Sequence, residues 1–177
     1  SGTDIIADLP RRHEEAQRLS VAMARQKETL LDILIRLFAD RFLAEARRGL
    51  PRGYVAQKED LATLRGRLDV IRQFTHHAVR PDRLACQFDI LIPDTPLLRV
   101  MKACVVTLRR YARVLETQRR LDELRFLLMN VGDVPINALP WSQVRIDRTS
   151  RRWETLYVLA KLFLKREWQG TNHDAKA

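Results

Sequence analysis

Leu64-Arg65-Gly66-Arg67-Leu68-Asp69, then Pro81-Asp82-Arg83-Leu84-Ala85-Cys86-Gln87-Phe88-Asp89, then the turn Pro93-Asp94-Thr95-Pro96 opening into Leu97 to Leu115: this central region decides the fold. Its early part alternates apolar and polar residues, as a half-buried strand does. Its last part repeats every three or four residues, as a helix does. Strand signals followed by a proline-punctuated helix start do not fit an all-helical bundle. Helical patterns dominate on both sides. The fold class expected is therefore α+β, mainly helical, with a small antiparallel β-sheet in the middle of the chain.

Working outward, Tyr54-Val55-Ala56-Gln57 reads as a short strand, Glu59 to Ala62 as a turn, Arg67 to Phe74 as a longer strand and Arg83 to Phe88 as another. Upstream, Gln26 to Arg48 reads as an amphipathic helix. Leu30, Leu34, Leu37, Phe38 and Phe42 form its apolar face, Leu31 and Ile33 widen it, and Gly49 with Pro51 ends it. Residues 1–25 read as a lead-in that turns helical after Glu14. Ser1-Gly2-Thr3, without a methionine, reads as a cloning scar on an excised piece. Downstream, Asp94 is expected to cap a helix whose first turn takes Pro96. Leu97, Met101, Cys104, Leu108, Tyr111 and Leu115 are its core stripe, and Lys102 falls outside it. Gln118 to Met129 and Ser150 to Trp168 read as two more helices, joined by a loop that Trp141 anchors. Residues 26–168 thus read as a single domain, with 169–177 as a polar tail.

The blocks Arg48-Gly49-Leu50-Pro51-Arg52-Gly53-Tyr54, Leu64 to Asp69, Arg83 to Asp89 and Asp94-Thr95-Pro96-Leu97, in that order and spacing, resemble the McrC family. The likeness covers roughly Arg48 to Lys165. That family supplies the nuclease-bearing subunit of modification-dependent, 5-methylcytosine-directed restriction systems. The resemblance implies a cytoplasmic protein whose partner is a McrB-like hexameric AAA+ GTPase that recognises methylated DNA. This region would dock on the GTPase and stimulate it without itself being catalytic. The nuclease domain and its Mg would follow just past Gly170, so no cofactor is expected within this chain. Family members often carry Asn after Thr-Pro-Leu. Here the residue is Leu98, which puts packing where a polar contact would be.

Charge and composition bear on this independently. The chain has 177 residues, 32 Lys and Arg against 22 Asp and Glu, and a formal net charge of +10. Such an excess suits a polyanion, and weak, non-specific DNA contact weighs equally with no DNA role. A stand-alone basic DNA-binding or scaffold module is the alternative function. No apolar run approaches a membrane span, and Cys86 and Cys104 read as reduced, buried thiols.

Few residues suggest chemistry. A metal-dependent nuclease needs an acidic residue and then Asp/Glu-x-Lys on a rigid strand. The sole such triplet, Asp174-Ala175-Lys176, lies in the tail and reads as chance. His76-His77 reads as a solvated loop pair, since adjacent strand residues point to opposite faces. Arg65, Arg67 and Arg72, with Asp69, Asp89 and Asp94, are the more informative set. Arginine and aspartate on neighbouring strands make bidentate pairs that fix register, the favoured reading, or else the arginines face a partner's nucleotide. Arg65, Arg67, Arg72, Arg145 and Arg148 are accordingly the partner-contact candidates, and Asp69, Asp89 and Asp94 the structural ones.

Overall fold

A computed structural model describes the backbone of residues 3–79 and 82–174, and the side chains of residues 12–79 and 82–165. The fold is α+β: four long helices around one apolar core, with a small three-stranded sheet set between the first and second of them in sequence. In chain order the elements are α1 (Thr3–Arg47), β1 (Gly53–Leu61), β2 (Arg67–Leu68), α2 (Val70–His76), β3 (Leu84–Ile92), α3 (Pro96–Tyr111), α4 (Leu115–Leu127) and α5 (Glu154–Asp174). Short 3-10 turns punctuate the α4–α5 connection.

The first helix is longer than its sequence pattern suggests. It begins at Thr3, so the expected lead-in is helix, including Pro10. Its buried face also differs. Ile35, Phe38, Ala39, Phe42 and Leu43 are inside, whereas Leu30, Ile33, Leu34 and Leu37 are exposed. Two apolar stripes share this helix, and the expected face mixed them. Phe38 meets Phe42 and Phe163 edge-on, and Phe42 meets Trp153 in the same way. These T-shaped contacts lock α1 to α5 and to the 3-10 turn that leads into it. Gly49, at φ 121°, turns the chain out of the helix, as a left-handed cap residue does.

Asp32, also buried, lies on α1 but serves α4. It accepts the Arg113 N–H at 2.7 Å, the Val114 N–H at 3.3 Å and the Thr117 hydroxyl at 3.3 Å. Val114 at the α4 N-cap has no capping side chain of its own, so a residue some eighty positions upstream does the work.

The sheet has the order β1-β3-β2, antiparallel throughout, with Gly53 opposite Ile92 and Leu61 opposite Leu84. β1 thus runs on to Leu61, through most of the turn expected at Glu59 to Ala62. The expected strand Arg67 to Phe74 is corrected: only Arg67 and Leu68 pair, with Gln87 and Cys86, and α2 follows at once. Asp69 decides this by accepting the Arg72 N–H and capping the helix. Gly66, at φ 70°, lets β2 approach β3. A Cβ there would lie 2.5 Å from the Gln87 carbonyl oxygen, so glycine is required.

Thr95, not Asp94, caps α3, through the Leu98 N–H, with Pro96 in the first turn. Leu97, Met101, Cys104 and Leu108 are buried as expected, and Leu98 is fully buried. Tyr111 and Leu115 are exposed instead, because α3 stops at Tyr111 and the chain turns into α4. Lys102 is inside rather than outside. Its ammonium donates to the Val131 carbonyl at 2.6 Å and lies 3.0 Å from Asp133. Trp153, in the 3-10 turn that leads into α5, is buried, as are Leu156, Ala160 and Leu164 on α5 itself. Trp141 packs partly buried against Tyr157. Helix α5 runs on through Thr171 to Asp174, part of the expected tail, while residues 175–177 lie outside the described ones.

Candidate functional site

The five candidate arginines do not converge. Arg65, Arg67 and Arg72 sit on the lobe formed by the sheet and α2. Arg145 and Arg148 lie in the loop before α5. What separates them is whether a local group already holds the guanidinium.

Arg72 is held. Its Nη2 is 3.0 Å from Asp60 Oδ1, and the same carboxylate has its other oxygen 3.0 Å from His77 Nε2, without hydrogen-bond geometry. His77 is therefore an enclosed neighbour of Asp60 with only 12% of its side chain exposed, not part of a solvated pair. His76 shares a 2.8 Å hydrogen bond with the Thr75 hydroxyl. Gln73 completes the pinning of α2: its amide donates to the Arg83 carbonyl at 3.1 Å and accepts the Ala85 N–H at 2.7 Å.

Arg67 is exposed and donates only to the Gln87 side chain, at 3.3 Å. Arg65 is exposed and lies over the Phe88 ring, 4.3 Å from its centroid. That stacking leaves the edge of the guanidinium free to bind an anion. Arg145 donates to its own loop, to Ser142 and Val144 carbonyls at 2.9 and 3.3 Å. Arg148 is exposed and has no partner among the described residues. The turn carrying it is rigid. Asp147 accepts from the hydroxyls and N–H groups of Thr149 and Ser150, and these bonds, Thr149's hydroxyl foremost, hold its carboxyl down at about 2.

The three aspartates differ as well. Asp69 caps α2 and lies 3.3 Å from Lys58 Nζ; the Arg72 N–H, then Lys58, lower its pKa. Asp94 grips Arg99 with both oxygens, at 2.8 and 2.9 Å, and accepts the Gly132 N–H at 2.9 Å. Arg99 above all holds its carboxyl at about 2. Asp94 thus ties the end of the sheet, the start of α3 and the loop after α4 into one joint. Asp89 stands opposite Ala56, exposed, with no ion partner among the described residues. Among the described residues, no three His, Cys, Asp or Glu side chains gather as a metal site requires. Both cysteines are buried and free, and burial pushes the Cys104 thiol well up.

The model of the McrBC 5-methylcytosine restriction system component family matches residues 7–177. The chain belongs to this family. The resemblance seen in the sequence is to this same family, and the four blocks that carried it lie where the sheet is built or α3 is capped. No curated protein matches the chain. Among solved structures, one relative is in the cryo-EM structure of the Thermococcus gammatolerans McrBC complex. It is 26% identical with a TM-score of 0.67, over 75% of this chain and 40% of that one. Another is in a half-complex refined from a tetradecameric assembly of T. gammatolerans McrB AAA+ hexamers with bound McrC. It has the same identity and score, over 75% of this chain and 32% of that one. The present chain thus spans less than half the length of either relative. No described helix is long and apolar enough to cross a membrane.

Sequence reasoning missed Asp32, Lys102 and the Asp60 cluster. Each joins residues far apart in the chain, so periodicity carries no trace of them.

Proposed function

We propose that this chain is the McrC-like, non-catalytic part of a modification-dependent restriction system, acting in the cytoplasm on 5-methylcytosine-bearing DNA through its partner. It docks on a McrB-like AAA+ GTPase and stimulates GTP hydrolysis. The observation that carries this reading is the family match over residues 7–177, joined by a 26% identical fold found within McrB assemblies with bound McrC. The catalytic metal belongs to a nuclease domain, and this chain supplies docking.

The side-chain geometry supports a division among the arginines. Hydrolysis of a nucleoside triphosphate is accelerated when a guanidinium is placed against the charge developing on the phosphates. That role suits an arginine backed by a rigid element and not already spent on an acid. Arg148 on its braced turn fits, and so does Arg65 on the Phe88 ring, with Arg67 next. Arg72 and Arg145 act within the fold.

The test compares Arg65→Ala, Arg148→Ala and Arg72→Ala. The first two should keep the parent melting temperature and lose stimulation of the cognate GTPase. Arg72→Ala should melt lower and, while folded, still stimulate. A wild-type chain that neither binds nor stimulates the GTPase at micromolar concentration refutes the docking role.

A further inference from the structure

Gly49 and Arg152 lie 103 positions apart in the chain, yet the Arg152 guanidinium donates to the Gly49 carbonyl. Its Nε also lies 3.6 Å from Glu45 Oε2. This clasp holds the turn after α1 against the turn before α5, and both turns are rich in arginine. Residues 47–52 carry Arg47, Arg48 and Arg52 with no acid. Residues 145–152 carry Arg145, Arg148, Arg151 and Arg152 with Asp147 alone. Nearby acids cancel only part of this charge. Arg47 is matched to Glu123 at 3.1 Å, and the half-buried Glu45 is shared by Arg48, at 3.4 Å, and Arg152. Asp147 is taken up by Thr149 and Ser150 of its own turn, which leaves Glu154 at the start of α5. Arg52 and Arg151 are exposed with no acid partner among the described residues, and Arg48 is 67% exposed despite its partner. A helix C-terminus ordinarily repels an anion, but here Arg152 covers the last carbonyl. The result is a fixed, basic face.

We propose that this face binds the phosphate backbone of duplex DNA, through Arg52 and Arg151 foremost and Arg48 beside them, without reading bases. This goes beyond the GTPase role given to Arg148 and makes no use of that residue. Guanidinium groups spread over two braced turns suit a polyanion better than a single small anion. Two observations choose the occupant. No large apolar side chain of residues 47–52 or 142–152 is exposed. A protein interface is anchored at its centre by such side chains, whereas a backbone contact is polar and hydrated. The nearby tryptophans are also turned inward: Trp153 is fully buried and Trp141 packs on Tyr157. Unpaired bases of a single strand therefore find no ring to stack on. The duplex is the form of nucleic acid this face fits.

The test removes the same charge from this face and from elsewhere. Arg52→Gln/Arg151→Gln and the control Arg18→Gln/Arg110→Gln each remove two arginines, taking the net charge from +10 to +8. All four side chains are exposed, so both variants should keep the parent melting temperature. Arg18 is on the first half of α1, and Arg110 is at the end of α3 that Asp32 holds, so both lie roughly 20 Å or more along α1 from Arg48. Fluorescence anisotropy with an unmethylated duplex over a salt series reads the outcome. The face variant should bind about tenfold more weakly and lower the log–log salt slope by about two, while the control stays near wild type. It should also keep full stimulation of the cognate GTPase, so that failure here is distinct from failure of the docking role. Equal losses in the two variants mean that binding follows net charge alone, and overturn the face. Tighter wild-type binding to the single strand than to the duplex overturns the occupant. A face variant that loses GTPase stimulation but keeps duplex binding assigns this surface to the protein partner, and overturns the proposal.

Discussion

Replacing Asp94 tests the joint between sheet, α3 and the loop at Gly132. Its carboxyl titrates at about 2 against an ordinary 3.8, chiefly because Arg99 donates to both oxygens. Undamped, that difference corresponds to about 2.4 kcal/mol. The Arg99 side chain is 38% exposed, so solvent screening reduces the useful part to about 1–2 kcal/mol. Asp94→Asn keeps an acceptor for the Gly132 N–H and loses mainly this charge pairing. Asp94→Ala also strands that N–H, adding about 1 kcal/mol. For a chain of this size 1 kcal/mol moves the melting temperature by roughly 2–4 °C. Asn should then cost roughly 2–8 °C, and Ala a few degrees more.

The sign of the pH dependence follows from the lowered pKa. The stabilisation is complete above the unfolded carboxyl's 3.8 and disappears as pH falls through that value toward 2. Equilibrium urea unfolding of wild type and Asp94→Asn should therefore show a clear gap at pH 7 that shrinks to about a third near pH 2.5, where the folded carboxyl is still partly ionised. A gap that is the same at both pH values refutes the ion-pair account. A gap under 1 °C for Asp94→Ala at pH 7 refutes the joint altogether.

Gly66→Ala forces a Cβ to within 2.5 Å of the Gln87 carbonyl at a left-handed φ; it should destabilise by about 2 kcal/mol or more, visible in a urea titration. Asp32→Ala removes the acceptor for two N–H groups at the start of α4 and should cost about 1–2 kcal/mol; an unchanged urea midpoint would show that water serves as well. Fluorescence anisotropy should find weak duplex binding that falls steeply with salt and ignores cytosine methylation; a clear preference for methylated duplexes would place base recognition in this chain.

The helices and the α+β class were legible because burial imposes a period, and a period can be read without knowing the neighbour. The same method fails where one segment obeys two demands. Leu30, Leu34 and Leu37 show helical spacing as plainly as Ile35 and Phe42, yet only the second group faces the core. A single helix with two apolar stripes looks, in sequence, like one broad stripe. The stretch after Arg67 failed differently. Val70, Ile71 and Phe74 suggested a strand, but all three are exposed on α2, and that helix is fastened by its polar residues, Asp69, Arg72 and Gln73. A helix held on by polar contacts with its apolar side outward inverts the pattern that sequence reading relies on.

The arginines show where composition stops being informative. A net charge of +10 says that cations outnumber acids, but not which cations are left over. That depends on pairings such as Arg120 with Asp40, Arg47 with Glu123 and Arg72 with Asp60, whose members lie 80, 76 and 12 positions apart. Only folding brings them together. Once it does, Arg36, Arg47 and Arg120 are matched to the carboxylates of Asp40, Glu116 and Glu123 across the groove between α1 and α4, and exposed pairs of this kind add little stability each. Their larger effect is to remove those arginines from the pool available to a partner. What remains available is set by the absence of an acid at the right distance, as at Arg148, or by an aromatic ring that holds the guanidinium flat without neutralising it, as at Arg65. The charge that a phosphate or an acidic partner would meet on this chain is therefore defined by subtraction: it is what the ion pairs within the fold leave over.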